Sequence, residues 1–319
     1  MRRRAMNVEA GKTGRARMWE KETGRRAWRE KQMKIDGRTR TCGLIGNPVE
    51  HTLSPVIHNT LAERFGHNLV YVPFPVEAGR IGEAVAGASA LQILGLNVTV
   101  PYKGEVIPCL REVDSLAASI GAVNTLVPVQ GGFKGYNTDM EGLYRAMMTE
   151  GIRIADEEII LLGAGGASRA VAYLCAVKGA KQVYLLNRTV EKAQKVAEEV
   201  NRAAERQVIF PMALADFGSL PDRKFLAIQG TSVGLAPHVD DVVIADQKFY
   251  EKVHTGFDLI YSPWETRFMK LVKENSGAAY NGLKMLLYQG IIAYELWNGV
   301  KVSEEDADAV YEKLKEHFI

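Results

Sequence analysis

The sequence predicts an α/β protein of two domains, and three observations support this class. Apolar strand patterns alternate with helical patterns along most of the chain, which favours sheets with parallel strands and packed helices. A glycine cluster at 163–168 stands between a strand pattern and a helix pattern. The length of 319 residues, with 47% hydrophobic and 24% charged content, is that of a globular protein with room for two cores.

Composition argues against several classes of protein. The three cysteines, Cys42, Cys109 and Cys175, are widely spaced, which predicts reduced thiols in a cytoplasmic protein. The six histidines form no metal-ligand motif, so we expect no metal site. The most apolar stretch, 159–177, contains Arg169 and the glycine cluster, so we expect no membrane span.

The N-terminal segment is strongly basic, although the net charge of the chain is only +2. Residues 1–32 hold about eleven Lys or Arg and about four Glu, without an apolar signal region. We expect residues 1–38 to be a disordered extension, with Met33 an alternative start and a loose helix around Met18–Met33. A nucleic-acid-binding arm is the alternative interpretation.

The first predicted unit is an open α/β layer followed by a hairpin. Its predicted strands are Cys42–Gly46, Leu69–Pro75, Gln92–Val100, Gly121–Val127 and Phe133–Asn137, the last two joined across Gly131-Gly132. Its predicted helices are Val56–Phe65, Arg80–Ala90, Gly104–Leu110, Asp114–Ile120 and Met140–Glu150.

Four polar residues of this unit stand at the ends of strands and helices. Lys103 follows the strand that Pro101 stops, where it is either a surface lysine or a fixed ammonium donor. Ser54 fits a helix N-cap before Pro55, and a helix N-terminus also attracts a carboxylate. Asn124 lies within a strand, so its side-chain amide needs hydrogen-bond partners if it is buried. Asp139 is either a helix N-cap or a functional carboxylate.

The second unit opens with the strand Glu158–Leu162, the turn Gly163-Ala164-Gly165-Gly166-Ala167-Ser168 and a helix over Arg169–Lys178. A glycine-rich turn in this place lets backbone N–H groups approach a pyrophosphate at the positive end of the helix. Ser168 stands where a third glycine or alanine is usual, so the fingerprint is imperfect. The context still predicts a Rossmann-like nucleotide-binding domain.

The next strand, Gln182–Leu186, ends in Asn187-Arg188-Thr189 where an NAD-binding protein has an acidic residue. An arginine there pairs with a 2′-phosphate, and Lys192 adds a second positive charge, so these residues favour NADP over NAD. The alternative is that both cations belong to a solvated helix start.

The rest of the chain continues the alternation. Predicted strands are Gln207–Pro211, Phe225–Gln229 and Gly256–Ile260, with helices over Val190–Ala204, from Asn281 to about Trp297, and over Ser303–Phe318. Gly230-Thr231-Ser232-Val233-Gly234 is a turn at a strand end, where cofactor contacts fall in such sheets. Ser303 fits an N-cap, with Asp306 three residues on.

Together these segments resemble the shikimate dehydrogenase family, which includes shikimate/quinate dehydrogenases. The motifs are Gly46-Asn47-Pro48 with HTLSP at 51–55, NVTVPYK at 97–103, GAVNT at 121–125, NTD at 137–139, GAGGASR at 163–169, NRT at 187–189 and GLKMLLYQG at 282–290. The resemblance covers nearly all of residues 41–319. It implies a substrate-binding domain at 39–139 and 282–319, to which the last helices return, and a Rossmann-like NADP-binding domain at 140–281.

The resemblance also implies an activity and a set of site residues. The reaction is the reversible NADP-dependent reduction of 3-dehydroshikimate to shikimate, in cytoplasmic aromatic amino acid (chorismate) biosynthesis. Lys103 and Asp139 match the acid–base pair. Substrate-binding positions match at Thr52, Ser54, Thr99, Lys103, Asn124, Asp139, Tyr261 and Gln289. Cofactor-binding positions match at Gly163, Ala164, Gly165, Gly166, Ala167, Asn187, Arg188, Thr189, Lys192, Thr231, Leu259 and Gly282.

Three departures from the commonest family pattern bear on substrate range. Thr52 stands where serine is frequent, Gln229-Gly230 where an asparagine-containing pair is usual, and Lys284 where glycine is frequent. The alternative function is therefore a broader quinate/shikimate dehydrogenase. A non-catalytic sensor is a third hypothesis, against which the intact Lys103 and Asp139 argue. We expect small-molecule ligands, no nucleic acid and no membrane partner, and either a monomer or a homodimer.

Overall fold

The computed structural model of the chain describes residues 35–318. The basic extension predicted for residues 1–38, with its helix around Met18–Met33, therefore lies almost wholly outside the described residues. The described part contains two six-stranded sheets, one before residue 137 and one after residue 157.

The first sheet is mixed, with the spatial order β2-β1-β3-β5-β6-β4. Its strands are β1 (Arg40–Gly46), β2 (Leu69–Pro75), β3 (Gly95–Val98), β4 (Glu112–Val113), β5 (Thr125–Val129) and β6 (Gly132–Tyr136). Strand β1 pairs in parallel with β2 and β3, as the alternation of strand and helix predicts. Strand β5 runs antiparallel to β6, because the predicted hairpin reverses the chain, and β5 is also antiparallel to β3.

The second sheet is wholly parallel, with the order β12-β11-β10-β7-β8-β9. Its strands are β7 (Glu158–Leu162), β8 (Gln182–Asn187), β9 (Ile209–Ala213), β10 (Phe225–Gln229), β11 (Val253–Asp258) and β12 (Ala278–Tyr280). Numbered from β7, this is the 3-2-1-4-5-6 order of dinucleotide-binding sheets. The predicted α/β class, with a Rossmann-like second sheet, is confirmed.

Ten α-helices lie in the described residues. They are α1 (Ser54–Phe65), α2 (Ile81–Ala90), α3 (Ser115–Ile120), α4 (Asp139–Thr149), α5 (Gly166–Val177), α6 (Val190–Ala203), α7 (Gln247–Glu251), α8 (Arg267–Glu274), α9 (Leu283–Asn298) and α10 (Glu304–Lys315). Ser303 caps α10 as predicted, since its hydroxyl oxygen accepts the Asp306 N–H at 3.1 Å.

Strand β7 shows why the second sheet needs helices on both faces. Ile159 and Leu161 point into one apolar cluster with α5 and α6, and Ile160 and Leu162 point into another with α7 and α8. All four side chains are buried. A strand that is apolar at every position belongs at the centre of a sheet covered on both sides.

The last two helices return to the first sheet, as predicted. Leu287 and Ile291 of α9 and Val310 of α10 pack against Ile57 and Leu61 of α1. Helix α9 also crosses α4 at close range, because α4 carries Gly142 at the contact. A Cβ atom on Gly142 would lie 2.7 Å from the backbone nitrogen of Gln289. This crossing sets Asp139, the first residue of α4, beside the face of α9 that carries Gln289.

One local prediction was wrong, and two alternatives that the sequence left open are excluded. Residues Gly104–Leu110 form turns and a short 3₁₀ helix at Ile107–Cys109 instead of an α-helix, because Pro108 lacks the N–H that a helix requires. Ser54 is the first residue of α1 and not its N-cap, since the Thr52 hydroxyl oxygen accepts the Ser54 N–H. The N-cap of α4 is Thr138, so Asp139 is not the capping residue.

Candidate active site

Lys103 and Asp139 form a close ion pair. The ammonium Nζ of Lys103 donates to Oδ2 of Asp139 at 2.6 Å, with side chains 33% and 18% exposed. Lys103 lies in the turn after β3, which the buried side chain of Tyr102 anchors by donating to the Val76 carbonyl. The Lys103 carbonyl accepts the Val123 N–H at 2.8 Å, which brings the turn against the residues that precede β5. The pair therefore joins two segments that are far apart in the sequence.

Asn124 holds the other oxygen of the carboxylate. Its Nδ2 donates to Oδ1 of Asp139 at 2.8 Å and to Oγ1 of Thr138 at 3.0 Å. Its Oδ1 accepts the backbone N–H of Thr138 at 2.8 Å, which fixes which end of the amide faces the carboxylate. Asn124 comes directly before β5 and is only 3% exposed, so protein groups satisfy the amide that the sequence left without partners.

These residues open into a cavity of about 340 Å³ between the two sheets. All eight predicted catalytic and substrate-binding residues line it, together with Leu259 and Gly282 of the predicted cofactor set. The other lining residues are Leu44, Pro48, Val49, His51, Asn97, Val98, Met285 and Leu286. The wall therefore combines apolar side chains with a few convergent polar groups, which is typical of a site for one small polar molecule.

One end of the cavity suits a carboxylate. Thr52 and Ser54 lie at the N-terminus of α1, where the helix dipole favours negative charge. The Thr52 hydroxyl donates to Oγ of Ser54 at 3.1 Å. Tyr261 lines the same cavity, and burial raises the pKa of its phenol, which therefore stays a neutral hydrogen-bond donor.

The glycine turn after β7 has room for a phosphate group. Gly163 has a φ of 100°, and a Cβ there would lie 2.5 Å from Cγ2 of Thr231. Gly165 and Gly166, at the start of α5, are exposed, and a Cβ on either would meet no atom within 4 Å. The backbone at this helix N-terminus is therefore open to a ligand, which fits the pyrophosphate of a dinucleotide.

Ser168 explains how the turn tolerates a serine in place of the third glycine. Its hydroxyl points away from the open turn and donates to the Gly230 carbonyl at 3.0 Å. A Cβ on Gly230 would lie 2.5 Å from this hydroxyl, so the two residues depend on each other. Ser168 thus ties the glycine turn to the end of β10 without occupying the phosphate position.

The predicted 2′-phosphate residues stand at the end of β8. Arg188, Thr189 and Lys192 are exposed on the edge of the second sheet, beside the N-terminus of α6. Asn187 is partly buried, and its Nδ2 donates to the Thr189 carbonyl at 2.8 Å, which shapes the turn. No acidic residue occupies positions 187–190, so a dianionic group meets no repulsion from these residues.

A buried carboxylate holds the loop after β10. Asp258, at the end of β11, accepts hydrogen bonds from the Thr266 hydroxyl at 2.6 Å, the Ile260 N–H at 3.0 Å and Nε2 of Gln229 at 3.3 Å. Oε1 of Gln229 accepts the N–H of Thr231. Gln229, one of the departures from the family pattern, therefore connects Thr231 to the strand that leads into Leu259 and Tyr261.

Asp258 is expected to make stability depend on pH. Burial raises the pKa of Asp258 from 3.8 to about 6, although three hydrogen bonds oppose the shift. The folded state then binds the proton more tightly than the unfolded state, so the contribution of Asp258 to the free energy of unfolding falls as pH rises from about 4 to about 6. A shift of this size corresponds to about 3 kcal/mol.

Urea unfolding of the wild type and of Asp258→Asn at several pH values from 4 to 7 measures this contribution. The wild type should lose stability relative to the variant as pH rises through this window, because asparagine does not titrate. Parallel curves for the two proteins would show that Asp258 does not cause the effect.

Lys284, a second departure from the family pattern, takes part in a local ion pair. Its Nζ bonds Oε1 of Glu150, which follows the last residue of α4, and both side chains are 23% exposed. The ammonium also lies 5.5 Å from the ring centroid of Tyr311 on α10. Lys284 therefore joins α9 to α4 and α10 and does not line the cavity.

The sequence reasoning missed Asn97 as a lining residue. Asn97 is 4% exposed within β3, and it lies in the NVTVPYK segment that includes Thr99 and Lys103. An asparagine inside an apolar strand is the same signal that drew attention to Asn124. Applied to Asn97, that signal identifies a second polar residue beneath the cavity.

Residues 35–318 contain neither a group of side chains arranged to hold a metal ion nor a helix that could span a membrane. In this part of the chain, no group of three His, Cys, Asp or Glu side chains is arranged to hold a metal ion. No helix in the same range is both long and apolar enough to span a membrane.

A parallel sheet in the 3-2-1-4-5-6 order, with an open glycine turn before its first helix, defines a dinucleotide-binding protein. The adjoining cavity holds the Lys103–Asp139 pair, whose ammonium is a group that can donate a proton to a substrate. The relatives described below identify the class as oxidoreductases that act on a CH–OH group. Three family models match the chain. The model of the shikimate dehydrogenase substrate binding domain matches residues 44–126, and the model of shikimate / quinate 5-dehydrogenase matches residues 146–213. The model of the shikimate 5′-dehydrogenase C-terminal domain matches residues 282–314. The chain belongs to the shikimate dehydrogenase family.

Individual relatives agree with this. A shikimate dehydrogenase (NADP(+)) of Desulforamulus reducens is 40% identical over 268 residues, which are 83% of this chain and 92% of the relative. The solved shikimate 5-dehydrogenase of Thermus thermophilus, in complex with NADP(H) and shikimate, matches with a TM-score of 0.75 and 29% identity, over 86% of this chain and 99% of that one. The solved quinate dehydrogenase of Corynebacterium glutamicum, in complex with NAD, matches with a TM-score of 0.78 and 26% identity. The match covers 87% of this chain and 99% of that one.

Proposed function

We propose that the chain catalyses the reversible reduction of 3-dehydroshikimate to shikimate with NADPH, in the aromatic amino acid (chorismate) pathway. The observation that carries the proposal is the Lys103–Asp139 ion pair, which lies in the same cavity as Leu259 and Gly282 of the predicted nicotinamide border. The proton donor Lys103 and the proposed position of the nicotinamide, which would transfer the hydride, then border the same cavity. The substrate and the coenzyme in this proposal are inferred from the relatives named above, which are shikimate dehydrogenases that use NADP.

In the proposed mechanism, the chain supplies the proton and the orientation, and bound NADPH supplies the hydride. Reduction of a ketone builds negative charge on its oxygen, and the Lys103 ammonium stabilises that charge and donates the proton. Asp139 holds the ammonium in place, and Asn124 holds Asp139. Thr52, Ser54 and Tyr261 grip the substrate carboxylate. Ring hydroxyls bind Thr99, Asn124, Asp139 and Gln289.

The coenzyme is proposed to lie along the carboxyl edge of the second sheet. Residues 163–167 would cradle the pyrophosphate, with no side chain beyond the two alanines. Asn187, Arg188, Thr189 and Lys192 would bind the adenosine 2′-phosphate. Thr231, Leu259 and Gly282 would border the nicotinamide, where a Cβ on Gly282 would lie 2.1 Å from the Leu259 carbonyl oxygen.

This assignment gives the domain bounds a functional meaning. Residues 39–139 and 282–319 would bind the substrate, and residues 140–281 would bind NADP. The chain crosses between them at α4 and α9, the helices that pack at Gly142. We propose a cytoplasmic enzyme, monomeric or homodimeric, for which light scattering gives the mass in solution.

The test is nicotinamide absorbance with the purified chain, comparing shikimate and quinate, each with NADP⁺ and with NAD⁺. We expect the highest kcat/KM for shikimate with NADP⁺. Absence of turnover with all four pairs, in a folded protein that still binds ligand, would contradict the enzyme assignment. It would favour the non-catalytic sensor.

A broader quinate/shikimate dehydrogenase is the second candidate. Thr52 favours it, because its methyl group changes the end of the cavity that would hold the carboxylate-bearing carbon, and quinate carries an additional hydroxyl on that carbon. The match to quinate dehydrogenase points the same way. Comparable kcat/KM values for quinate and shikimate would establish the broader enzyme, and Thr52→Ser should then lower the quinate value selectively.

A further inference from the structure

A continuous line of buried polar groups runs beneath the cavity, behind the residues that face the substrate. The phenol of Tyr71 on β2 donates to Oδ1 of Asn97 at 2.9 Å. Nδ2 of Asn97 donates to Oγ1 of Thr125 at 3.1 Å and to the Asn124 carbonyl at 3.2 Å. The Thr125 hydroxyl donates to Oδ1 of Asn124 at 3.1 Å, and Asn124 donates to Asp139.

The direction of each bond in this line is set by the one before it. A neutral phenol next to an amide oxygen donates its only proton, and burial keeps the pKa of Tyr71 well above its ordinary value. Asn97 must then present its NH₂ group to Thr125. Thr125, having accepted that bond, keeps its own proton for Oδ1 of Asn124 at 3.1 Å, which is nearer than Oγ1 of Thr138 at 3.3 Å. Together with the backbone N–H of Thr138, this bond directs the NH₂ group of Asn124 at the carboxylate of Asp139.

The first member of the line is held rigidly. Asn59 of α1 brackets the backbone of Tyr71, since its Oδ1 accepts the Tyr71 N–H at 2.8 Å and its Nδ2 donates to the Tyr71 carbonyl at 3.2 Å. The ring stacks on His58 at 4.2 Å between centroids. Burial lowers the pKa of His58 to about 3, so this imidazole is neutral and brings no charge to the phenol.

Tyr71 and Thr125 cannot act by touching the substrate. Both are at most 1% exposed, and neither lines the cavity, whereas Asn97 and Asn124 do. The line therefore acts on the ion pair from behind the cavity wall.

We propose that Tyr71, Asn97 and Thr125 are positioning residues that orient Asn124, and through it Asp139 and Lys103, by a relay of directed hydrogen bonds. The proposal rests on the function proposed above for the ion pair. The backbone N–H of Thr138 also donates to Oδ1 of Asn124, so breaking the relay loosens the amide without reversing it. Loss of a bond that orients a metal ligand lowers activity by about tenfold or more, and we expect a loss of the same order for the bonds that orient Asn124.

Two variants each remove one hydroxyl of the relay and keep the shape of the side chain: Tyr71→Phe and Thr125→Val. Thr125→Ser restores the hydroxyl. Tyr250→Phe is the matched control, because it removes an equally buried phenol of α7 that donates to the Ile244 carbonyl in the loop before that helix. The measurements are kcat and KM for shikimate with NADP⁺, the Kd for NADP⁺, and the side-chain amide signals of Asn97 and Asn124 in ¹⁵N-resolved NMR spectra.

We expect kcat to fall about tenfold in Tyr71→Phe and Thr125→Val with the Kd for NADP⁺ unchanged, and to stay close to wild type in Thr125→Ser and Tyr250→Phe. The NH₂ protons of Asn124 should exchange with water faster in the first two variants only. Wild-type kcat in Tyr71→Phe and Thr125→Val would overturn the relay. So would a similar loss in Tyr250→Phe, which would indicate general destabilisation.

The outcome also separates the relay from the proposed function. A wild-type chain that turns over neither shikimate nor quinate contradicts the function, and the amide exchange then decides the relay alone. If the wild type is active, and Tyr71→Phe and Thr125→Val match it both in kcat and in the exchange rate of the Asn124 NH₂ protons, the relay is contradicted and the proposed function is unaffected.

Discussion

Replacement of Lys103 by alanine is expected to lower kcat for shikimate oxidation by about 10³-fold, the middle of the range for losing a general acid–base group. The substitution removes the only ammonium group that lines the cavity among the described residues. The Kd for NADP⁺ should change little, because Lys103 follows β3 of the first sheet, whereas the proposed coenzyme site is built mainly from the second. Initial rates and a fluorescence titration with NADP⁺ measure the two quantities.

Lys178→Ala is the control for this variant. Lys178 pairs with Glu141 at 3.3 Å, and Glu141 lies on α4, the helix that also carries Asp139. The variant therefore removes an ammonium–carboxylate pair that involves the same helix but lies outside the cavity. Its kcat should remain close to wild type. A Lys103→Ala enzyme that retains wild-type turnover would disprove the assigned chemistry, because no mechanism that takes its proton from this ammonium survives its removal.

The double variant Arg188→Ala/Lys192→Ala is expected to raise the KM for NADP⁺ by about 100-fold and to leave the KM for NAD⁺ nearly unchanged. Two charge-assisted hydrogen bonds to a phosphate, at about 1.5 kcal/mol each, sum to about 3 kcal/mol, which is about two powers of ten. The free hydroxyl of NAD⁺ carries no charge, so it loses little. Initial rates with each coenzyme at saturating shikimate give the comparison.

Arg202→Ala provides the matched control. Arg202 is also an exposed cation of α6, but it lies in the last turn, about 15 Å along the helix from Lys192. Loss of its charge should affect both coenzymes equally and weakly. An equal rise in KM for NADP⁺ and NAD⁺ in the double variant would mean that the two cations act on the fold or on the shared part of the coenzyme.

The predictable part of the candidate site is the part that local sequence encodes. The glycine turn was identified because it stands between a strand and a helix, and Arg188 because the chemistry of one strand end distinguishes two coenzymes. Lys103 and Asp139 stand at similar boundaries, but local position left a structural alternative open for each. Their catalytic roles came from the family resemblance.

Tyr71 and Thr125 were missed for the complementary reason. Both read as ordinary strand residues, and their roles depend on Asn97, which lies 26 residues from Tyr71 and 28 from Thr125 along the chain. Asp258 and Gln229 are a similar case, since 29 residues separate them. A hydrogen bond between strands that are far apart in the chain produces no recognisable residue pattern in either strand. Composition and residue spacing therefore do not predict it.

The residue patterns by themselves determined the α/β class and the Rossmann-like second sheet, and the family resemblance identified ten of the residues that line the cavity. Patterns of buried and exposed residues and the special backbone needs of glycine and proline act within a few positions, and these are written directly in the chain. Only the tertiary structure decided that α4 crosses α9 at Gly142, that Lys284 pairs with Glu150, and that the relay reaches Asp139. Those contacts depend on distances between segments, which packing sets and local sequence does not.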